Sequence, residues 1–355
     1  AVQGSLAVSL GLVGMSAAML LIAGLAPRFD RKLATAVGLI GAAILTIMIG
    51  FSGSFEAILG MRLIQGLLLA AFPSLIIAYI NEEFEPFNVG TVIGIYISGT
   101  TVGGLFGRLV VSAITDFVSW RMGLIVIGIL YLAVGIAFFM LLPKPKYQRQ
   151  RQSGGLQLIK TFHTALANKK LLWIYLVAFL IMGSFVAVFN FISYVLLAPP
   201  YSLSQTVVGL LFVVYLFGTF SSTYMGRLSD QHGNNGRVLI LGLLIMLTGG
   251  LLTLLQPLVF KFIGLAIFTF GMLGSHSVAC GWVGKLNQGD KAQSSSMYMF
   301  FYYAGASSLG TLGGVFLESY GWSGVIGMVA AAVIICLLVV VRLELAVSQH
   351  LLWHH

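Results

Sequence analysis

A chain of 355 residues in which 59% are apolar and only 8% charged differs from a soluble globular domain, where about a quarter of the residues carry charge. That balance excludes a soluble enzyme. A formal charge of +9 would suggest nucleic acid for a soluble protein. Here, however, apolar stretches of about twenty residues recur along the chain, each able to cross a ~30 Å hydrocarbon core, and in such a chain Lys and Arg report orientation instead. The two cysteines, Cys280 and Cys336, lie in separate apolar runs, so neither a disulfide framework nor a metal site is expected. No cofactor and no nucleic-acid partner follow from this composition, whereas a lipid bilayer does.

Apolar runs between polar breaks predict membrane helices near 4–26, 33–52, 56–80, 88–114 and 122–142. Six more are predicted near 171–197, 206–226, 237–257, 261–284, 294–317 and 323–342. All must be helical, since an open sheet leaves backbone groups unsatisfied in lipid. If the break at Pro27–Lys32 is cytoplasmic, that side collects Arg28, Arg31, Lys32, seven basic residues from Lys144 to Lys170, Arg227, Arg237, Lys285, Lys291 and Arg342. The opposite side holds Arg121 and Lys261, while Arg62 and Arg108 fall inside spans. The bias sets the orientation and predicts a cytoplasmic C-terminus.

The two halves repeat. Ala23-Gly-Leu-Ala-Pro-Arg-Phe-Asp-Arg-Lys32 aligns with Gly226-Arg-Leu-Ser-Asp-Gln-His-Gly233, with Leu25 opposite Leu228. Ser119-Trp-Arg121 matches Gly321-Trp-Ser323, and Val102-Gly-Gly104 matches Leu312-Gly-Gly314. Three echoes at nearly one spacing describe two parallel halves, as in one large class of secondary transporters. The span 171–197 has no counterpart in the first half, so the reading expects one further N-terminal helix, eleven of twelve spans being visible. The halves are 1–142 and 171–345, joined by a basic connector at 143–170 and followed by a tail at 346–355. In the connector, Leu156, Ile159, Phe162 and Leu166 share one helical face, which fits either a surface-lying amphipathic helix or a solvated linker near anionic lipid.

These segments resemble the major facilitator superfamily over essentially the whole chain. The copy at 23–32 is similar to that family's Gly-x-Leu-Ala-Asp-Arg-Phe-Gly-Arg-Lys signature, keeping Leu25, Ala26, Arg28, Phe29, Arg31 and Lys32 but carrying Pro27 for the Asp. The second copy keeps Gly226, Leu228, Asp230 and Gly233. A carboxylate and arginines at a helix-to-loop junction can pair with a neighbouring helix end in one conformation and part in another. Asp230 is the better candidate for such a latch, with Asp30 a possible substitute in the first half. The plain alternative is a tight turn with topology anchors.

Arg62-Leu-Ile-Gln-Gly66 resembles the family's Arg-x-x-Gln-Gly signature. Arg62 and Gln65 either serve gating and proton coupling or let the arginine snorkel to an interface. Gly94 to Gly107 looks like the antiporter glycine signature with Thr100 in place of its Pro. Gly99, Gly103 and Gly107 share a face suited to close helix packing. Arg108 balances an anionic substrate group or reaches an interfacial phosphate. In the second half, Asn190 with Tyr194, and Tyr298 with Tyr302, are pairs four apart that either line a substrate cavity or pack in the core. His276 is a coupling candidate or a neutral core histidine. No carboxylate falls mid-span.

The resemblance implies an all-α membrane protein of the major facilitator fold, two six-helix bundles with pseudo-two-fold symmetry that rock about a central cavity. It implies export of a small organic compound by proton antiport across an inner membrane, by a monomer. The efflux-permease branch is closest, through Tyr96-Ile-Ser-Gly99 and Gly313-Gly-Val-Phe316. Proton-coupled uptake, uniport and a non-transporting receptor on the same scaffold stay open.

Overall fold

The computed structural model describes residues 10–19, 22, 30–84, 88–143, 168–286 and 291–352. Arg28 and the connector's Leu156, Ile159, Phe162 and Leu166 lie outside the described residues. Within them the helices are α1 (Leu10–Met19), α2 (Arg31–Phe51), α3 (Phe55–Leu69), α4 (Ala71–Glu83), α5 (Val89–Phe117) and α6 (Trp120–Leu141). After the connector come α7 (Lys169–Leu197), the short α8 (Gln205–Leu210) with a tighter turn at Leu211–Val214, α9 (Tyr215–His232), α10 (Asn235–Leu252), α11 (Leu258–Leu286) and α12 (Lys291–Leu352). Nine helical runs among the described residues are long and apolar enough to cross a membrane.

Polar residues at the breaks start these helices by satisfying N–H groups that lack a partner in the first turn. Asp30 caps α2 by accepting from the Leu33 N–H at 3.0 Å, Ser119 caps α6 through Met122 at 3.2 Å, and Asn168 caps α7 through Lys170 and Leu171. One span departs from a simple reading of apolar runs. The predicted helix 56–80 is divided at Ala70, because Pro73 in the first turn of α4 lacks an N–H and its ring clashes with the carbonyl four residues back. Within α12 the runs at 294–317 and 323–342 are separated at Gly321, whose φ of 65° and ψ of −157° break the helix at the tryptophan turn.

The chain packs as two units. The first holds α1 to α4, α5 from Phe106, α6, and α12 as far as Ala304; the second holds α5 up to Leu105, α7 to α11, and α12 from Gly305. In the first unit α2 is central and packs on α6, α3 and α4; in the second α11 takes that place, against α10, α9 and α7. Small residues permit these approaches. In the first unit, a Cβ on Gly38 would meet the Leu68 carbonyl at 2.5 Å and one on Gly128 would meet Ile47 at 2.6 Å. In the second, Gly242 and Gly249 of α10 interlock with Gly264 and Gly271 of α11. A Cβ on Gly271 would lie 2.6 Å from the Gly242 carbonyl oxygen, and one on Gly264 would lie 2.8 Å from that of Gly249.

Gly271→Leu is therefore expected to destabilise the second unit by about 1–3 kcal/mol or more through overpacking. Gly327→Leu, at a position with open space around it, should stay within about 0.5 kcal/mol of the parent. Thermal unfolding of the two purified variants in detergent checks the contrast; equal melting points would remove the interlock as a source of stability.

Candidate functional site

The densest polar constellation in the second unit lies where α9 ends and α5 and α10 begin. Gly233, with φ 64°, ends α9 in the left-handed conformation that glycine tolerates. One turn earlier, Asp230 has a side chain only 6% exposed. Its Oδ2 accepts a 3.0 Å hydrogen bond from the backbone N–H of Thr91, the third residue of α5. Its Oδ1 receives Lys285 Nζ from the end of α11 at 3.2 Å. The carboxylate thus completes the first turn of a helix from the other half of the sequence, where the helix dipole favours negative charge. Gly90 makes this possible, since a Cβ there would sit 2.6 Å from Asp230 Oδ2. Gly226 approaches in the same way from α9, with its Cβ position 2.7 Å from the Gly90 carbonyl oxygen.

The α5–α9 crossing continues into the helices. Ser98 Oγ lies within 3.0 Å of the Gly94 and Thr219 carbonyl oxygens and of the Ser222 and Thr223 hydroxyls. A Cβ on Gly94 would meet the Ser222 carbonyl oxygen at 2.7 Å. The close approach is made here, at Gly90 and Gly94, rather than on the face of Gly99 and Gly103, where an added Cβ meets no described atom within 4 Å. Gly107 instead faces the Tyr131 hydroxyl in the first unit. Thr100, standing where the family has proline, keeps its N–H; its hydroxyl donates to the Ile97 carbonyl at 2.8 Å, and α5 runs unbroken through it.

In the first unit, Arg62 Nη1 donates to Gln65 Oε1 at 2.9 Å. Gln65 is buried and donates from Nε2 to the Ala42 carbonyl at 3.1 Å and to Thr46 Oγ1 at 2.6 Å, so α3 is tied to α2 by this amide. The guanidinium Nε is buried without a hydrogen-bond partner. Arg31 is 8% exposed at the start of α2, whose cap is Asp30. Asp30 caps its own helix, whereas Asp230 reaches across to another helix. Arg108 is exposed on α5.

The other candidates separate by burial. In the second unit Asn190 and Tyr194 are exposed, whereas Phe185 and Phe189 of the same α7 segment are buried, their rings 5.5 and 4.9 Å from that of Tyr215. His276 is buried in α11. In the first unit Tyr298 and Tyr302 are buried, with ring centroids 6.4 Å apart. Gly90, Thr91, Ser98 and Lys285 escaped the sequence reading. Lys285 served there only as an orientation marker, and Gly90 carried a signal only through its place just inside a helix start.

An all-helical, multi-pass membrane protein with paired halves and a charged helix-to-loop junction is a secondary transporter by class. The sequence profile of the Major Facilitator Superfamily matches residues 1–200 and 184–350, and the chain belongs to that family; it is not an enzyme. It is 39% identical to the uncharacterized MFS-type transporter YybF of Bacillus subtilis, over 94% of this chain and 82% of that protein. It is 37% identical to the inner membrane transport protein YnfM of Escherichia coli, over 96% of this chain and 81% of that one. Among solved structures it resembles the Escherichia coli fucose:proton symporter FucP with a TM-score of 0.76, at 14% identity over 96% of this chain and 90% of FucP. That likeness concerns the fold.

Proposed function

We propose that the chain exports a small organic compound by proton antiport, through alternating access of its two halves, 1–142 and 171–345. The observation that carries this reading is the three-way contact of Asp230 with Thr91 and Lys285. When the N-terminus of α5 leaves, Lys285 remains as partner and the carboxylate is not left uncompensated, so the bound and released arrangements lie close in free energy. A contact worth about 0.3–1 kcal/mol at an exposed helix end, and more when partly buried, suits a reversible gate. Export is supported by the similarity of Gly94–Gly107 to the antiporter signature, and an inner-membrane location by the similarity to YnfM. A cytoplasmic C-terminus is supported by the basic bias of the connector and of Arg227, Arg237, Lys285 and Arg342.

Coupling is assigned to Arg62, Gln65 and His276, and substrate contacts to Arg108, Asn190, Tyr194, Tyr298 and Tyr302. In the sequence the spans carry two arginines and a histidine and no mid-span acid, which favours neutral or anionic substrates with an apolar body. Reconstituted protein given matched cationic, neutral and anionic analogues under an imposed pH gradient tests this. Outward transport of the neutral or anionic compound, abolished by a protonophore, is expected. Proton-coupled uptake, flux indifferent to the gradient, no flux, or a preference for the cation would each overturn the part it contradicts.

A further inference from the structure

Two carboxylates of the second unit lie against glycines at the starts of other helices. Asp230 lies against Gly90, the second residue of α5; Glu344 of α12 lies against Gly236, the second residue of α10. A Cβ on Gly236 would collide with Glu344 Oε2 and fall 2.6 Å from its Cδ. The residue before α10, Asn234, makes no side-chain cap of its own. Lys285 joins the two seats, with its Nζ 3.2 Å from Asp230 Oδ1 and 3.5 Å from Oδ1 of Asn235, the buried first residue of α10. The chain of contacts is therefore α5, Asp230, Lys285, Asn235, Gly236 and Glu344.

We propose that Glu344 is a positioning residue for the Asp230 contact, reached through the first turn of α10 and Lys285. Seated on Gly236, it neutralises the start of α10 and holds Asn235 where it shares the ammonium. Lys285 is then kept beside Asp230, and the carboxylate stays aimed at Thr91. This rests on the reading of Asp230 as a reversible gate.

The test places a cysteine at Thr91, next to the Asp230 carboxylate, in the full chain with Cys280→Ala and Cys336→Ala, reconstituted in nanodiscs so that a maleimide reaches both faces. Its labelling rate reports departure of α5 from Asp230. Asp230→Asn should raise the rate about tenfold, the loss of one charge-assisted contact. Glu344→Gln, which keeps the shape, should raise it about two- to fivefold. Gly236→Ala, which displaces the carboxylate, should act in the same direction. The double variant Asp230→Asn with Glu344→Gln should be no faster than Asp230→Asn alone, because both act on one contact. If Asp230→Asn accelerates labelling while Glu344→Gln does not, or if the two effects multiply, Glu344 merely caps α10 and this proposal fails alone. If Asp230→Asn leaves the rate unchanged, the gate itself fails and the positioning role falls with it.

Discussion

Asp230→Asn should lower the transport rate by about tenfold or more while leaving expression and substrate affinity near those of the parent. The asparagine keeps the volume and one acceptor oxygen for the Thr91 N–H, so packing against Gly90 survives. What is lost is the negative charge, which both the start of α5 and Lys285 use. A hydrogen bond to a charged group contributes about 1.5–3 kcal/mol, and about 1.4 kcal/mol corresponds to tenfold in an equilibrium. The substitution also leaves Lys285, 36% exposed, with Asn235 as its remaining contact here. A bias of that size toward the released arrangement slows the cycle at the step that must re-form the contact. Initial rates and binding isotherms on the same reconstituted preparation separate the two effects. Parent-like flux would leave Asp230 as a helix-end anchor and nothing more.

The second large effect is expected at Arg62→Lys. The arginine is half-buried with its Nε closed off from water and without a hydrogen-bond partner, and its Nη1 donates to a neutral amide, Gln65, that is itself committed to Ala42 and Thr46. Holding a permanent charge among neutral partners costs stability, and membrane proteins keep such groups where they are used. Lysine is no substitute: it lacks the planar fork, cannot span Gln65 in the same way, and loses its proton readily when buried. Proton-driven accumulation should drop about tenfold or more, whereas exchange of labelled for unlabelled substrate across equal pH, which moves no net protons, should persist. Counterflow and gradient-driven flux from one batch of proteoliposomes give both numbers. Equal loss of the two would reduce Arg62 to a packing role, and full retention of driven flux would remove it from coupling.

Residue composition and spacing were enough for a multi-pass membrane protein and the position of most helices, because lipid imposes the same demand on every span: about twenty apolar residues with the backbone satisfied internally; the family came from the resemblance of the motifs at 23–32, 62–66 and 226–233. Asp230 was legible for a similar reason, being a carboxylate beside a glycine turn in a repeated segment. The division of the span at Pro73 carried a local signal in the proline itself. Nothing local announced the partner of Asp230, since Thr91 lies 139 positions away and contributes a backbone N–H, which every residue but proline has. Nor did any pattern distinguish Gly236 from the chain's 43 glycines; a missing side chain acquires meaning only when another atom occupies its place. Asp30 and Asp230 look alike at a helix end in the sequence, yet one closes the turn of its own helix and the other the first turn of α5. Local sequence, then, determines which groups are charged, small or helix-forming. Which helix end each charge neutralises was decided by tertiary packing, because such pairing depends on ångström-scale approach between segments far apart in the chain.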